Sequence, residues 1–268
     1  MSDDALLRLE WLLADFGEAA VAVSGGVDSL TLATVAHCTL GRRAAMLHAV
    51  SPAVPAEATR RTRELARAQG WRLEVVDAGE FDDPAYRANP VNRCFYCKTN
   101  LYGTIARLTR ATILSGTNLD DLGEYRPGLE AAKRHGVRHP YVEVGIDKAG
   151  VRGLARRLGL PEVAELPAAP CLSSRVETGI AIEAPVLAVV HEVEKRVAAV
   201  LSPRTVRCRI REAGVVIELD APSLAGLDEG RRDSLDREVG QLLAEAGVLL
   251  PVSFAAYRTG SAFLTGAA

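Results

Sequence analysis

Residues 19–36 read AAVAVSGGVDSLTLATVA, and no other stretch limits the possible folds as sharply. The apolar, valine-containing run 19–23 predicts a short buried strand, and Leu30, Ala33 and Ala36 recur behind it at helical spacing. Between them lies Ser24-Gly25-Gly26-Val27-Asp28-Ser29, whose paired glycines permit a tight strand-to-helix turn and leave backbone N–H groups bare. A turn of that kind feeding a helix N-terminus binds phosphate or pyrophosphate. Ser24 and Ser29 are expected to donate to phosphate oxygens, and Asp28 to hold a divalent ion such as Mg2+. Neither the GxxxxGK[ST] spacing with its lysine nor GxGxxG is present, which excludes a Walker A loop and a dinucleotide fingerprint.

The remainder of the first half alternates strand and helix. Strands are predicted at 44–50, 72–76, 111–114 and 139–144, and helices at 30–40, 56–69, 94–107, 129–134 and 148–158, with glycine or proline at most junctions. That order predicts an α/β chain built on a doubly wound parallel sheet, with the glycine loop at its carboxyl edge. The polar segments 77–93 and 115–128 each follow a strand, so they too are expected at that edge. Proline clusters before Cys171, and a break near Gly179 divides the 268 residues into domains 1–179 and 180–268. The second reads as a smaller α+β domain. It has a helix at 185–200, a hairpin of 206–210 and 215–219 turning at Glu212-Ala213-Gly214, a helix at 231–246 and a strand at 248–254.

A net charge of -2 from 32 basic and 34 acidic residues gives no basis for bulk nucleic-acid binding. No window approaches the length of uncharged apolar sequence that a membrane span requires. The first residues, MSDDALLRLEWLLADFG, read as an amphipathic helix rather than a signal peptide, and the cytoplasm is the expected location. Five cysteines are too few and odd in number for a disulfide scaffold.

Those cysteines divide into two sorts. Cys38 falls on the apolar side of a predicted helix and Cys208 alternates within a predicted strand, so both read as packing residues. Cys94 and Cys97 form a CxxC pair, which alone is compatible with zinc, a redox pair or an iron–sulfur centre. With Cys171 as a third thiolate, a [4Fe-4S] cluster could be held with one iron left open to an exogenous sulfide. Zinc on three cysteines with water or a histidine such as His135 or His139 is the competing ligation, a redox pair stays open, and three ordinary thiols are the simplest alternative.

The run SGGVDS resembles the signature of the PP-loop ATP pyrophosphatases, which split ATP between the α and β phosphates and adenylate a substrate. Taken with Arg93-Cys94-Phe95-Tyr96-Cys97-Lys98, the segment ending Tyr125-Arg126-Pro127-Gly128, Cys171-Leu172-Ser173-Ser174-Arg175, Arg207-Cys208-Arg209 and Tyr257-Arg258-Thr259-Gly260, the chain resembles the LarE sulfur transferases of that superfamily. The resemblance implies a PP-loop sheet domain and an oligomer. It also implies adenylation of a pyridinium mononucleotide carboxylate and replacement of oxygen by sulfur, in service of the nickel-pincer cofactor of lactate racemase. Members of this family either sacrifice the cysteine matching Cys171 or, where the CxxC pair is present, deliver a cluster-bound sulfide replenished by a sulfide source or a cysteine desulfurase. The pair is present here, so the expectation is a [4Fe-4S] enzyme with Cys94, Cys97 and Cys171 as ligands.

Around that chemistry, residues 24–29 are expected to bind ATP, with Asp121 and Arg126 lining the nucleotide edge. Lys98 would carry positive charge between ATP and the sulfur source. Arg207 and Arg209 stand two apart in a strand, hence on one face, and suit a substrate phosphate. Arg258, Ser174, Arg175 and Glu194 complete the nominated substrate and catalytic residues. Three rivals share parts of the pattern, of which GMP or NAD synthetase would use ammonia and leave three cysteines unexplained. A tRNA thiolase of the PP-loop type would need an RNA-binding surface that the charge balance does not supply, and a nucleotide-binding regulator would not turn over.

Overall fold

The computed structural model describes residues 3–123 and 126–263, so Tyr125 of the Tyr125-Arg126-Pro127-Gly128 motif lies outside the described residues. In chain order the first elements are α1 (Asp3–Asp15), β1 (Ala19–Ala22), α2 (Val27–Leu40), β2 (Ala44–Val50), α3 (Ala56–Gln69), β3 (Arg72–Asp77), α4 (Pro84–Arg87), α5 (Arg93–Leu108) and β4 (Thr112–Leu114). After them come α6 (Pro127–Arg134), α7 (Pro140–Glu143), α8 (Lys148–Arg157), α9 (Pro161–Ala164) and α10 (Ala184–Leu201). The chain closes with β5 (Val206–Arg211), β6 (Gly214–Leu219), α11 (Ala221–Ala225), α12 (Glu229–Glu245) and β7 (Val252–Ala256). These elements divide into two compact units, one of Met1–Glu80 with Asn92–Ala169, the other of Phe81–Val91 with Pro170–Ala268.

The first unit holds a parallel sheet in the order β3-β2-β1-β4. β1 sits inside it, with Ala19 opposite both Ala44 and Thr112. Its sequence, AAVA, is buried throughout, and small side chains let helices approach both faces. α2 is buried on nearly all sides, because α1 and α8 pack against it. Leu9 and Leu13 of α1 are fully buried in that layer, each contributing about 1.5–3 kcal/mol of burial. The chain leaves β1 for β2 and β3 on one side and returns to β4 on the other. The order therefore reverses between β1 and β4, where open α/β sheets bind their ligands at the carboxyl ends.

The expected fifth strand at 139–144 does not form. Pro140 lacks the N–H that a ladder needs and its fixed φ suits the first turn of a helix, so Pro140–Glu143 is the short helix α7. Among the described residues only an isolated bridge, Leu114 to Arg138, extends the sheet there. Cys38, expected in the core, is exposed on the last turn of α2.

The second unit carries a mixed three-stranded sheet, β5-β6-β7, with an antiparallel hairpin and β7 parallel to β6. Val190, Val193 and Val197 of α10 and Leu235, Val239 and Leu243 of α12 share one apolar cluster with Ile210, Val215, Ile217 and Leu219 of the sheet. The segment before α5 also belongs to this unit. Asn89, at φ 52°, donates its amide to the carbonyls of Glu177 (2.8 Å) and Ile180 (2.9 Å), and the Tyr86 hydroxyl meets Ser173 Oγ at 2.6 Å.

Candidate functional site

In the glycine loop the carbonyls of Gly25 and Gly26 accept hydrogen bonds from within the protein, and Gly26 N donates to Ser24 Oγ at 3.4 Å. Arg61 Nε donates to the Gly25 carbonyl at 2.9 Å, and Ser29 Oγ donates to that of Gly26 at 3.1 Å. Ser24 N donates to Ser29 Oγ at 3.0 Å, and the two serine hydroxyls are 3.1 Å apart. Among the described residues nothing accepts from the N–H groups of Val27, Asp28 or Ser29, the first turn of the fourteen-residue α2, and Gly26 caps it without a side-chain bond. A fourteen-residue helix presenting bare amides offers an anion a partial positive charge. The two serines also shape the loop through their mutual contact.

Two glycines allow close approach here. A Cβ on Gly25, which has φ +81°, would lie 2.8 Å from the Ala58 carbonyl oxygen of α3; one on Gly116 would lie 2.9 Å from Asp28 C and Ser29 N. So α3 packs onto the loop from one side, and the segment after β4 packs onto the start of α2 from the other. His48, buried at the end of β2, ties the same region together. Its Nδ1 donates to the Val23 carbonyl at 2.8 Å, so its Nε2 accepts from the Thr59 hydroxyl at 2.9 Å. Burial lowers the pKa of this imidazole and keeps it neutral.

Asp28 is the electrostatic centre. Its Oδ1 accepts from the Asn118 amide at 3.1 Å and its Oδ2 meets Lys148 Nζ at 2.5 Å, while the Tyr141 hydroxyl donates to its backbone carbonyl at 3.1 Å. Burial, with the Asp28 carboxylate adding to it, pushes the Tyr141 phenol well above its ordinary range, so it stays a donor. Asn118 is itself buried and fixed, its N–H on Asp121 Oδ2 at 3.1 Å and its Oδ1 accepting from Asp120 N at 3.1 Å. Asp121 pairs with Arg126 at 2.8 Å. Sequence reading missed Asn118, Tyr141, Arg61 and Lys148. Of these Lys148 left a trace as the first residue of a predicted helix, and Asn118 as part of the polar segment expected at the carboxyl edge.

Cys94 and Cys97 lie in the first two turns of α5, both half-buried, and Lys98 Nζ stands 5.7 Å from the Tyr102 ring centre. Cys171 belongs to the second unit, where it is exposed. Its surroundings there are held firmly. Buried Arg175 pairs with Glu194 through two bonds of 2.9 Å and donates from Nη1 to the carbonyls of Pro170 (2.7 Å) and Cys171 (3.2 Å). Glu194 Oε1 also accepts from Cys208 N at 2.9 Å. Arg209, 4% exposed, pairs with Glu218 at 2.9 Å and donates to the Ser174 carbonyl at 2.9 Å. Arg175, Glu194 and Arg209 therefore brace the Cys171 loop. Arg207 lies 5.9 Å from the Tyr257 ring centre, its pKa lowered first by burial and then by Arg175, and Arg258 is exposed. Burial pushes the Cys208 thiol far up, which leaves it an inert packing group.

The expected cluster site is corrected by this geometry. Among the described residues no group of three or more His, Cys, Asp or Glu side chains is assembled to hold a metal ion, and the CxxC pair and Cys171 fall in different units. The three-cysteine [4Fe-4S] variant, with its cluster-bound sulfide and its nickel-pincer specialisation, does not describe this chain. Among the described residues no helix is long and apolar enough to cross a membrane.

No protein-family model matches the chain. It is 43% identical over 179 residues to the uncharacterized protein slr1717 of Synechocystis, covering 64% of this chain and 66% of that one. It is 28% identical over 111 residues to the uncharacterized protein MJ0830 of Methanocaldococcus jannaschii, covering 40% of this chain and 43% of that one. In both cases the match spans less than two thirds of the relative's length. A third similarity runs further, at 30% identity over 212 residues, 77% of this chain and 76% of the relative. That relative is the pyridinium-3,5-bisthiocarboxylic acid mononucleotide synthase of Lactiplantibacillus plantarum, and the chain belongs to its family.

Proposed function

We propose that the chain is a PP-loop ATP-dependent sulfur transferase. It adenylates a carboxylate with release of pyrophosphate and then replaces a carboxylate oxygen by the sulfur of Cys171. The observation that carries this reading is the pairing of features in one chain: a glycine loop with bare helix-start amides beside Asp28, and an exposed thiol on a braced loop. The name of the Lactiplantibacillus plantarum relative supports a pyridinium mononucleotide dicarboxylate as the acceptor.

The steps balance without an outside oxidant. A carboxylate oxygen attacks the α phosphorus and pyrophosphate leaves, which gives the acyl carbon a good leaving group. The amides of Val27, Asp28 and Ser29 stabilise the charge that develops on the phosphates. Asp28 is the residue that would hold a Mg2+ ion, and that ion would neutralise charge on the departing pyrophosphate. The Cys171 thiolate then attacks the acyl carbon and AMP departs, leaving a thioester. Removal of the Cα proton of residue 171 breaks its Cβ–S bond, which releases the thiocarboxylate and leaves dehydroalanine. Arg207 and Arg258 are assigned to the substrate phosphate, whereas Arg209 is engaged with Glu218.

The test is pyrophosphate release with ATP, Mg2+ and the pyridinium dicarboxylate mononucleotide. Release that requires the mononucleotide is the expected result. Release that instead requires tRNA would favour a tRNA thiolase, and no release with either would leave a nucleotide-binding protein that does not turn over.

A further inference from the structure

Both oxygens of Asp28 are engaged within the protein itself. The Asn118 amide bonds Oδ1 and the Lys148 ammonium bonds Oδ2, and the ammonium is the shorter contact at 2.5 Å. The two partners differ in kind. Asn118 is 1% exposed and fixed by bonds to Asp120 and Asp121, so it has one position. Lys148 carries its charge on a flexible stem, and its side chain is 35% exposed. Its backbone is anchored separately, with its N–H on Asp120 Oδ2 at 3.2 Å and its helix capped by Asp147 on Gly150 N at 2.7 Å. The root of the side chain is thus held beside the loop while the ammonium is able to change partner.

From this arrangement we infer that Lys148 is an internal cation that holds the Asp28 carboxylate in the nucleotide-free protein and yields it to a divalent ion only when a polyphosphate arrives. An ammonium on Oδ2 repels an incoming divalent ion and occupies the oxygen that ion needs. A triphosphate on the amides of α2 offers Lys148 several anionic oxygens, and transfer of the ammonium to them frees Oδ2. The protein then binds metal and nucleotide together rather than metal first. Lys148 is in this sense a positioning and regulatory residue of the nucleotide site. The inference rests on the ATP reading and adds the order in which the site fills.

Binding of Mn2+, followed by the electron paramagnetic resonance signal of the free ion, tests the inference without turnover. Without nucleotide, Lys148→Met is expected to bind Mn2+ roughly tenfold more tightly than the parent, Lys148→Arg to remain close to the parent, and Asp28→Asn to bind none at this site. With α,β-methylene-ATP present, Mn2+ affinity is expected to rise in the parent and to rise far less in Lys148→Met. If Lys148→Met binds Mn2+ no more tightly than the parent while the parent still binds the analogue, the inference falls and the ATP reading stands. If the parent does not bind the analogue at all, both fall.

Discussion

Replacing Gly25 by alanine is expected to cost about 2–4 kcal/mol of stability and to abolish nucleotide binding. Two independent effects add at this position. The backbone sits at φ +81°, where a side chain is strained, and the new Cβ would lie 2.8 Å from the Ala58 carbonyl oxygen and 3.0 Å from the Ala58 Cβ. Neither neighbour is the tip of a flexible side chain, so relief requires the loop or α3 to move. Such movement would separate Arg61 from the Gly25 carbonyl and disturb the amides at the start of α2. Gly26→Ala is the control. Its φ is -88° and an added Cβ would meet only Ser24 Oγ at 3.6 Å, so its stability should change by about 0.5 kcal/mol or less. Urea unfolding and titration with α,β-methylene-ATP distinguish the two variants. A Gly25→Ala protein as stable and as competent as Gly26→Ala would contradict the loop geometry.

The second large effect is expected at Glu194. This carboxylate receives Arg175 Nε and Nη2 and Cys208 N, and both charged side chains are almost fully buried. Glu194→Ala leaves a buried guanidinium without its counter-ion and should destabilise the chain by about 3–5 kcal/mol. The double variant Arg175→Met with Glu194→Leu removes both charges and should recover most of that loss. It should not recover function. The carbonyls of Pro170 and Cys171 would lose the donor that fixes them, so sulfur transfer should slow even in a stable protein. Denaturant melts report the first effect, and single-turnover product formation by the double variant reports the second. A Glu194→Ala chain that melts with the parent would show the pair to be peripheral, and a double variant with parental transfer would show that the brace does not position Cys171.

Much of this was legible from pattern alone. Punctuation by Gly17, Gly41 and Gly70 and the apolar periodicity between them marked β1, α2, β2 and α3, and Glu212-Ala213-Gly214 marked the hairpin, because these signals are local. Pro140 was the local signal misread, since a run of apolar residues beginning with proline suits a first helical turn as well as a strand. The parts that stayed hidden depend on side chains that meet across the fold. Asn89 joins the segment before α5 to the second unit through carbonyls some ninety residues away, and nothing in its neighbours announces that. Lys148 reaches Asp28 from 120 positions further along, with no periodicity to connect them. The cysteines show the converse. Spacing put Cys94 and Cys97 on one helix, but neither it nor the count of thiolates carried information about whether Cys171 would join them, and the expectation of a cluster rested on that count and on resemblance.

If Cys171 supplies the sulfur, the mass of that residue must change with turnover. After one round with ATP, Mg2+ and the pyridinium dicarboxylate mononucleotide, peptide mapping should show residue 171 lighter by one H2S, as dehydroalanine, in step with the AMP and thiocarboxylate formed. Thiocarboxylate accumulating over many rounds with Cys171 unchanged, or formed at the parental rate by Cys171→Ser, would contradict it.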